Sequence, residues 1–241
     1  TLESCIFFDE GFYDRHNIEL HLDRKVELVD FQNHQLLIDN KAPIAFDHLL
    51  IATGSKNRVL EIDGLASEQI HYLRTMAESQ AIVDKAQTEN RVLIIGGGFI
   101  GMELAASLRS LGKAVTVIEA GSQLMGRAIP CEIADIVQEK HEQAGVTVHL
   151  DTTVTSVTSG EGSYKAELSN GDKVVFDLIV VGIGITPNLD AFADENLRTD
   201  NGIVTNEYGQ TSIDNVYAAG DVASFYHPHY DSYMRLESWK H

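Results

Sequence analysis

Cysteine is scarce in this chain: Cys5 and Cys131 are its only two, far apart and in no CxxC or CxxxxC spacing. The sequence therefore writes neither a cysteine-ligated zinc site nor an adjacent redox disulfide, and it suits a reduced, cytoplasmic protein with two small, indifferent thiols. Proline is limited to four residues, which leaves no rigid linker. Basic side chains are outnumbered 36 to 18, and a net charge of -18 disfavours non-specific binding to nucleic acid or to an anionic membrane. No apolar run approaches the roughly twenty residues of a membrane-spanning helix. The opening TLESCIFFDE has neither the basic flank nor the long apolar stretch of a signal peptide, so a soluble location is expected.

What is present alternates between strand and helix patterns. Short strands are expected at Ile18 to Leu20, Val26 to Val29 and Gln35 to Ile38, separated by turn pairs such as Asn33-His34 and Asp39-Asn40. Leu49 to Ala52 is a fully apolar strand that ends at Thr53-Gly54, and such runs suit strands covered on both faces. Met76 to Gln87 has helical composition, Arg91 to Ile95 is an apolar strand, and Gly96-Gly97-Gly98 breaks it. An amphipathic helix opens at Gly101 and stops at Gly112, and Ala114 to Ile118 is the next strand. A further helix spans Cys131 to Ala144, followed by a strand from Val146 to Leu150. Val154 to Val157, Tyr164 to Leu168 and Val174 to Phe176 form a meander with an Asn170-Gly171 hairpin signal. Two more buried strands, Leu178 to Val181 and Val216 to Ala219, run into Gly182-Ile183-Gly184 and Gly220-Asp221. The pattern predicts an α/β fold on a parallel sheet, with an antiparallel meander inserted in the nucleotide domain.

The segment VLIIGGGFIGMELAASLRSLGKAVTVIEA places Gly96, Gly98 and Gly101 between a strand and the helix it opens. Gly96 permits a tight turn, Gly98 lets backbone approach a diphosphate, and Gly101 lets the helix pack closely on the strand, with its amino-terminal amides facing the phosphate charge. A GxGxxG alone is weak. Here the βαβ unit has the right size, and an acidic residue, Glu119, ends the second strand about twenty residues on. A carboxylate there accepts from both adenosine ribose hydroxyls and repels a 2'-phosphate, which predicts NADH over NADPH.

Landmarks along the whole chain carry a resemblance: LLIATGS at 49 to 55, YLRT at 72 to 75, GGGFIGMELAA at 96 to 106, IEAGSQLMGR at 118 to 127, VGIGITPN at 181 to 188, VYAAGDVA at 216 to 223 and RLESW at 235 to 239. In these the sequence resembles the FAD-dependent pyridine nucleotide-disulfide oxidoreductases, in their ferredoxin and rubredoxin reductase branch. The resemblance implies a fold with two dinucleotide-binding domains, a Rossmann-like NADH domain inserted in an FAD domain. It implies that residues 1 to 73 and 190 to 236 are parts of the FAD domain, that 74 to 189 form the NADH domain, and that 237 to 241 begin an interface domain. On the same resemblance the first FAD fingerprint and the rest of the interface domain are expected to be missing, which makes the chain an internal fragment.

Site residues follow from the resemblance position by position. For FAD it implies Asp221 on the ribityl chain at a helix amino terminus, Thr53 and Gly54 where the chain leaves its strand, the backbone of Val26 at the adenine, Arg74, and Trp239 against the flavin. For NADH it implies the backbone of Phe99 and Ile100, the side chains of Glu119 and Arg127, and the Gly182-Ile183-Gly184 turn near the nicotinamide. Glu103, read as lying on the opening turn of the helix, is the expected catalytic residue beside nicotinamide and flavin. The expected reaction passes a hydride from NADH to FAD and then single electrons to a ferredoxin- or rubredoxin-like partner, with a homodimer possible for the full-length protein. Two other readings stay open. One is an NADH-dependent disulfide, peroxide or oxygen reductase whose redox cysteine precedes Thr1, and the other is a nucleotide-binding module without activity. His227, His229 and Asp231 in YHPHYD are read as solvated surface in a loop rather than a metal site, and Glu132, Asp135, Glu139 and Glu142 as a solvated helical face.

Overall fold

A computed structural model describes residues 8–39, 42–126, 128–160 and 162–236. The chain divides into two compact units: residues 55–186 form one, and residues 1–54 with 187–241 form the other. The unit of residues 55–186 is thus inserted in the other. Its leading boundary falls before the expected 73/74 position, because Ile62, Leu65 and Ile70 are buried in the core of the inserted unit.

In chain order the outer unit opens with the short helix α1 (Glu10–Arg15) and the strands β1 (Val26–Asp30), β2 (Gln35–Ile38), β3 (Ile44–Ala45) and β4 (Leu49–Ile51). β1, β2 and β3 form an antiparallel sheet. The strand expected at Ile18 to Leu20 does not form. α1 ends before it, at Arg15, Asn17 turns the chain at φ 55°, and Ile18 and Leu20 are exposed.

The inserted unit contains β5 (Ser55–Asn57), β6 (Ile70–His71), α2 (Met76–Thr88), β7 (Arg91–Ile95), α3 (Phe99–Ser110), β8 (Ala114–Ile118), α4 (Cys131–Gln143) and β9 (Val146–His149). It continues with β10 (Val154–Gly160), β11 (Ser163–Leu168), β12 (Lys173–Phe176), β13 (Leu178–Val181) and β14 (Ile185–Pro187). β6, β13, β7, β8 and β9 lie in that order in one parallel sheet. Alternate residues of its strands point to two different layers, as the two-residue side-chain period requires. Val92, Ile94, Val115, Val117 and Val180 pack under α2 and α3 with Ile82, Ala86, Met102, Ala105 and Leu108. Leu93, Ile95, Ile118, Ile179 and Val181 face Val157, Ala166, Leu168 and Phe176 of the β10-β11-β12 meander. Helices, parallel sheet and antiparallel sheet make three layers. Burial on both faces explains why β7 and β13 read as continuous apolar runs.

α2 is started by Thr75, whose side chain accepts the Glu78 N–H while the Glu78 carboxylate accepts the Thr75 N–H, a reciprocal capping box. α3 starts at Phe99, two residues before the expected Gly101, with Gly98 as its extended N-cap.

The chain then returns to the outer unit with β15 (Ile203–Thr205), β16 (Val216–Ala218), β17 (Ala223–His227) and β18 (Ser232–Met234). β16 pairs in parallel with β4, and β15, β17 and β18 form a mixed sheet. Its core holds Val29, Phe31, Ile51, Leu197, Ile203, Val216, Ala218 and Val222. The YHPHYD segment, expected as an unframed loop, is the end of β17 and the turn that leads to β18, closed by Tyr226 Oη donating to Asp231 Oδ1 at 2.5 Å. Among the described residues no helix is long and apolar enough to cross a membrane.

Candidate functional site

In the inserted unit the chain runs from β7 to β8 and β9 on one side and places β13 and β6 on the other, so the order of strands reverses between β7 and β13. Open parallel sheets bind ligands outside the carboxyl ends of the strands at such a point. The residues there are glycines. Gly96 leaves β7 at φ 108°, and a Cβ on it would lie 2.4 Å from the Gly182 carbonyl oxygen at the end of β13. Its N–H donates to Ile118 O at 2.8 Å, which ties the turn to β8 as well. A Cβ on Gly101 would meet Gly96 O at 2.0 Å, so the first turn of α3 rests directly on the glycine turn. Gly98 is different: nothing lies within 4 Å of its missing Cβ. The backbone is open to an approaching group at the one fingerprint glycine whose expected job is that approach.

The electrostatics follow from the helix. No side chain caps α3, and no acidic residue sits in its first turn, so its leading amides and the positive end of its dipole face the open turn. Phe99 and Ile100, on the same turn, are exposed. Glu119 leaves β8 beside them, half buried, and its carboxylate turns back over the glycines: Oε2 accepts the Gly97 N–H at 2.6 Å and Oε1 accepts the Gly121 N–H at 2.7 Å. A carboxylate oxygen can accept more than one hydrogen bond, so both oxygens keep acceptor capacity for sugar hydroxyls. This arrangement fits a dinucleotide diphosphate on the amides and a ribose on the carboxylate.

The Gly182-Ile183-Gly184 turn joins the same crest. Gly182 N donates to Ile95 O at 2.8 Å, and a Cβ on Gly182 would be 3.9 Å from Ile100 Cγ2. Glu103 requires a correction: it is the fifth residue of α3, outside the first turn, and exposed, so helix-end capping does not explain it. Three residues after Ile100 and four after Phe99, it shares their side of the helix. Arg74 is exposed just before α2, and its backbone N–H donates to Glu78 Oε2 at 2.9 Å. Arg127 lies outside the described residues.

In the outer unit, the expected FAD residues leave the carboxyl ends of two adjacent parallel strands. β4 leads to Thr53-Gly54 and β16 to Gly220-Asp221, with Ile51 opposite Ala218. Thr53 Oγ1 donates to Asn188 O at 2.9 Å, and Asn188 N donates to Gly54 O at 2.9 Å. Gly220 has φ 74° and open space where a Cβ would stand, a partial cradle of the kind a cofactor chain needs. Asp221 sits in a three-residue 3-10 turn that passes straight into β17, not at the start of a helix as expected. Val26 opens β1 opposite Ile38, next to a bulge. Trp239 lies outside the described residues.

Two residues of this crest escaped the sequence. Gly97 occupies a position where the fingerprint accepts any residue, and Gly121 lies beyond it, so neither carries a motif signal.

Comparison with known proteins agrees with this geometry. The family model described as pyridine nucleotide-disulphide oxidoreductase matches residues 9–241. Rhodocoxin reductase of Rhodococcus erythropolis is 35% identical over 98% of this chain and 56% of its own length. Rubredoxin-NAD(+) reductase of Pseudomonas putida is 32% identical over 99% of the chain and 62% of its own. Among solved structures, the covalent putidaredoxin reductase-putidaredoxin complex superposes with a TM-score of 0.91 at 29% identity, covering 99% of this chain and 58% of that one. The chain thus spans less than two thirds of the length of these two curated relatives. On its matched extent, its sheet order and its glycine crest, the chain belongs to the pyridine nucleotide-disulphide oxidoreductase family, among relatives named as ferredoxin and rubredoxin reductases.

Proposed function

We propose that the complete protein is an NADH-dependent flavoprotein reductase that passes electrons through FAD to a small iron-sulfur protein of the ferredoxin or rubredoxin kind, in the cytoplasm. The observation that carries this reading is the open turn at Gly98 with the Glu119 carboxylate turned over it. The names of the relatives support the acceptor class: rubredoxin-NAD(+) reductase, dioxygenase ferredoxin--NAD(+) reductase components, and a reductase held in complex with putidaredoxin.

When bound, NADH and FAD supply the hydride chemistry and the division into single electrons, and the protein supplies placement and field. The amides at Gly98, Phe99 and Ile100 hold the diphosphate at the positive end of α3. Glu119 accepts the two adenosine ribose hydroxyls and repels a 2'-phosphate. The Gly182-Ile183-Gly184 turn bounds the crest on the β13 side, and Glu103 projects from the second turn of α3 toward the nicotinamide. The resemblance adds the Arg127 side chain to the NADH contacts. On this reading Asp221 holds the ribityl chain, Thr53 and Gly54 approach FAD where the chain leaves β4, and the Val26 backbone meets its adenine, with Arg74 and Trp239 as the further FAD positions that the resemblance implies.

Anaerobic stopped-flow mixing of the complete flavoprotein with NADH tests the proposal. Flavin absorbance is expected to bleach with NADH, with NADPH at least about tenfold poorer in kcat/KM, and the reduced protein is expected to reduce a ferredoxin or rubredoxin. Bound flavin that NADH leaves oxidised would reject the reading. Glu103→Gln is expected to slow bleaching by about 10- to 100-fold with little change in NADH affinity, as for a group that acts in the transition state.

A further inference from the structure

The glycine turn and the loop after β8 meet at a single peptide. The Gly97 N–H donates to Glu119 Oε2 at 2.6 Å, and the Gly97 carbonyl accepts the Met125 N–H at 2.9 Å. On the far side of the carboxylate the Gly121 N–H donates to Oε1 at 2.7 Å. One amide on each oxygen fixes the plane and direction of the carboxylate. The space that allows this is narrow. A Cβ on Gly97 would stand 2.6 Å from Leu124 Cδ2, 3.1 Å from Glu119 Cβ and 3.2 Å from Glu119 Oε2. Leu124 is fully buried and packed into the core beneath, so its side chain has little room to retreat.

Resting on the NADH reading of this crest, we propose that Gly97 is a specificity-determining position. Its peptide, with the Gly121 amide, holds Glu119 in the pose that receives the two hydroxyls of an unphosphorylated ribose. A 2'-phosphate is then refused by a fixed pose as well as by charge. To admit the phosphate the carboxylate has to swing away, and both amides lose their acceptor. The Gly97 N–H, in a buried residue, is poorly placed to find water in exchange. The Met125 bond passes any such movement into the loop from 119 to 126.

The test is isothermal titration of the complete protein with ADP-ribose and with 2'-phospho-ADP-ribose, probes that carry only the adenosine half. Gly97→Ala changes no charge but crowds the carboxylate. It is expected to raise the Kd for ADP-ribose about tenfold and to change that for the phosphorylated probe by less than about threefold, so the discrimination ratio falls. Glu119→Gln keeps the shape but offers a single carbonyl oxygen to two amides. It is expected to lose a similar factor for ADP-ribose without gaining the phosphorylated probe. A folded Gly97→Ala protein with an unchanged ratio overturns the proposal, as does a Glu119→Gln protein that takes both probes equally well. Should Gly97→Ala not fold, Glu119→Gln decides alone. Wild-type protein that binds neither probe rejects the underlying NADH reading instead, a result separate from the other two.

Discussion

Gly101 shows how a single missing side chain shapes the crest. A Cβ there would lie 2.0 Å from the Gly96 carbonyl oxygen, and neither backbone can move without lifting α3 from β7. Gly101→Ala is therefore expected to cost about 1–3 kcal/mol in chemical denaturation and to weaken ADP-ribose binding in the same preparation. A variant with wild-type stability and affinity would show that the turn is softer than its geometry implies. At this scale the sequence was informative wherever a residue's job depends on its type. Gly96, Gly98, Gly101 and Glu119 stand together as the fingerprint spacing requires. Gly97 and Gly121 contribute backbone amides from positions that the fingerprint leaves open, so its spacing did not announce them, although a Cβ at either would crowd Glu119. Glu103 was visible as an acidic residue near the turn, but its place in the second turn depends on a helix that starts earlier than its apolar spacing suggests.

Among elements, the parallel sheet is pinned at its amino edge as well as at the crest. Asp177, just before β13, accepts from the Arg91 guanidinium at 2.5 Å and from the backbone N–H groups of Arg91 and Asn90 at the start of β7. The Arg91 hydrogen bond, aided by those two amides, holds the Asp177 carboxyl below its ordinary value of 3.8, although burial pushes the other way. A carboxylate lowered by folding stabilises the protein above its unfolded value and stops doing so as pH falls through its folded value. Asp177→Asn is expected to cost about 1 kcal/mol at pH 7, kept small because Arg91 is nearly half exposed to screening water. The gap between variant and wild type should close as denaturation is repeated below about pH 4. A gap independent of pH would assign the loss to packing. The elements best read in advance, β7, β8, β13 and α3, are those whose burial is set by one long apolar pattern. α1 has six residues and the strands β3, β5, β6, β14 and β15 have two or three, too few for any periodicity to appear. The reciprocal capping box of Thr75 and Glu78 marks the start of α2.

For the molecule as a whole, every side chain and amide assigned to the adenosine half of NADH lies within residues 55–186, one uninterrupted stretch with its own three-layer core. That stretch, produced by itself, is expected to fold and to bind ADP-ribose within about threefold of the complete protein. Titration checks this, and loss of binding in a folded stretch would mean that the outer unit supplies part of the site. The alternation of strands and helices foretold the α/β class. The edge of the inserted unit was harder to place, because the residues around Ile62 and Leu65 have no regular element of their own and reveal their allegiance only by what they bury.

Two hydrogen bonds join Thr53-Gly54 to Asn188, the one from Thr53 spanning 135 residues of chain. The entropy of bringing such distant points together is a cost that a loose intervening segment leaves wholly to the outer unit, whereas a folded one delivers both ends already near each other. A folded inserted unit thereby lowers the entropic cost of bringing the outer strands β4 and β16 together.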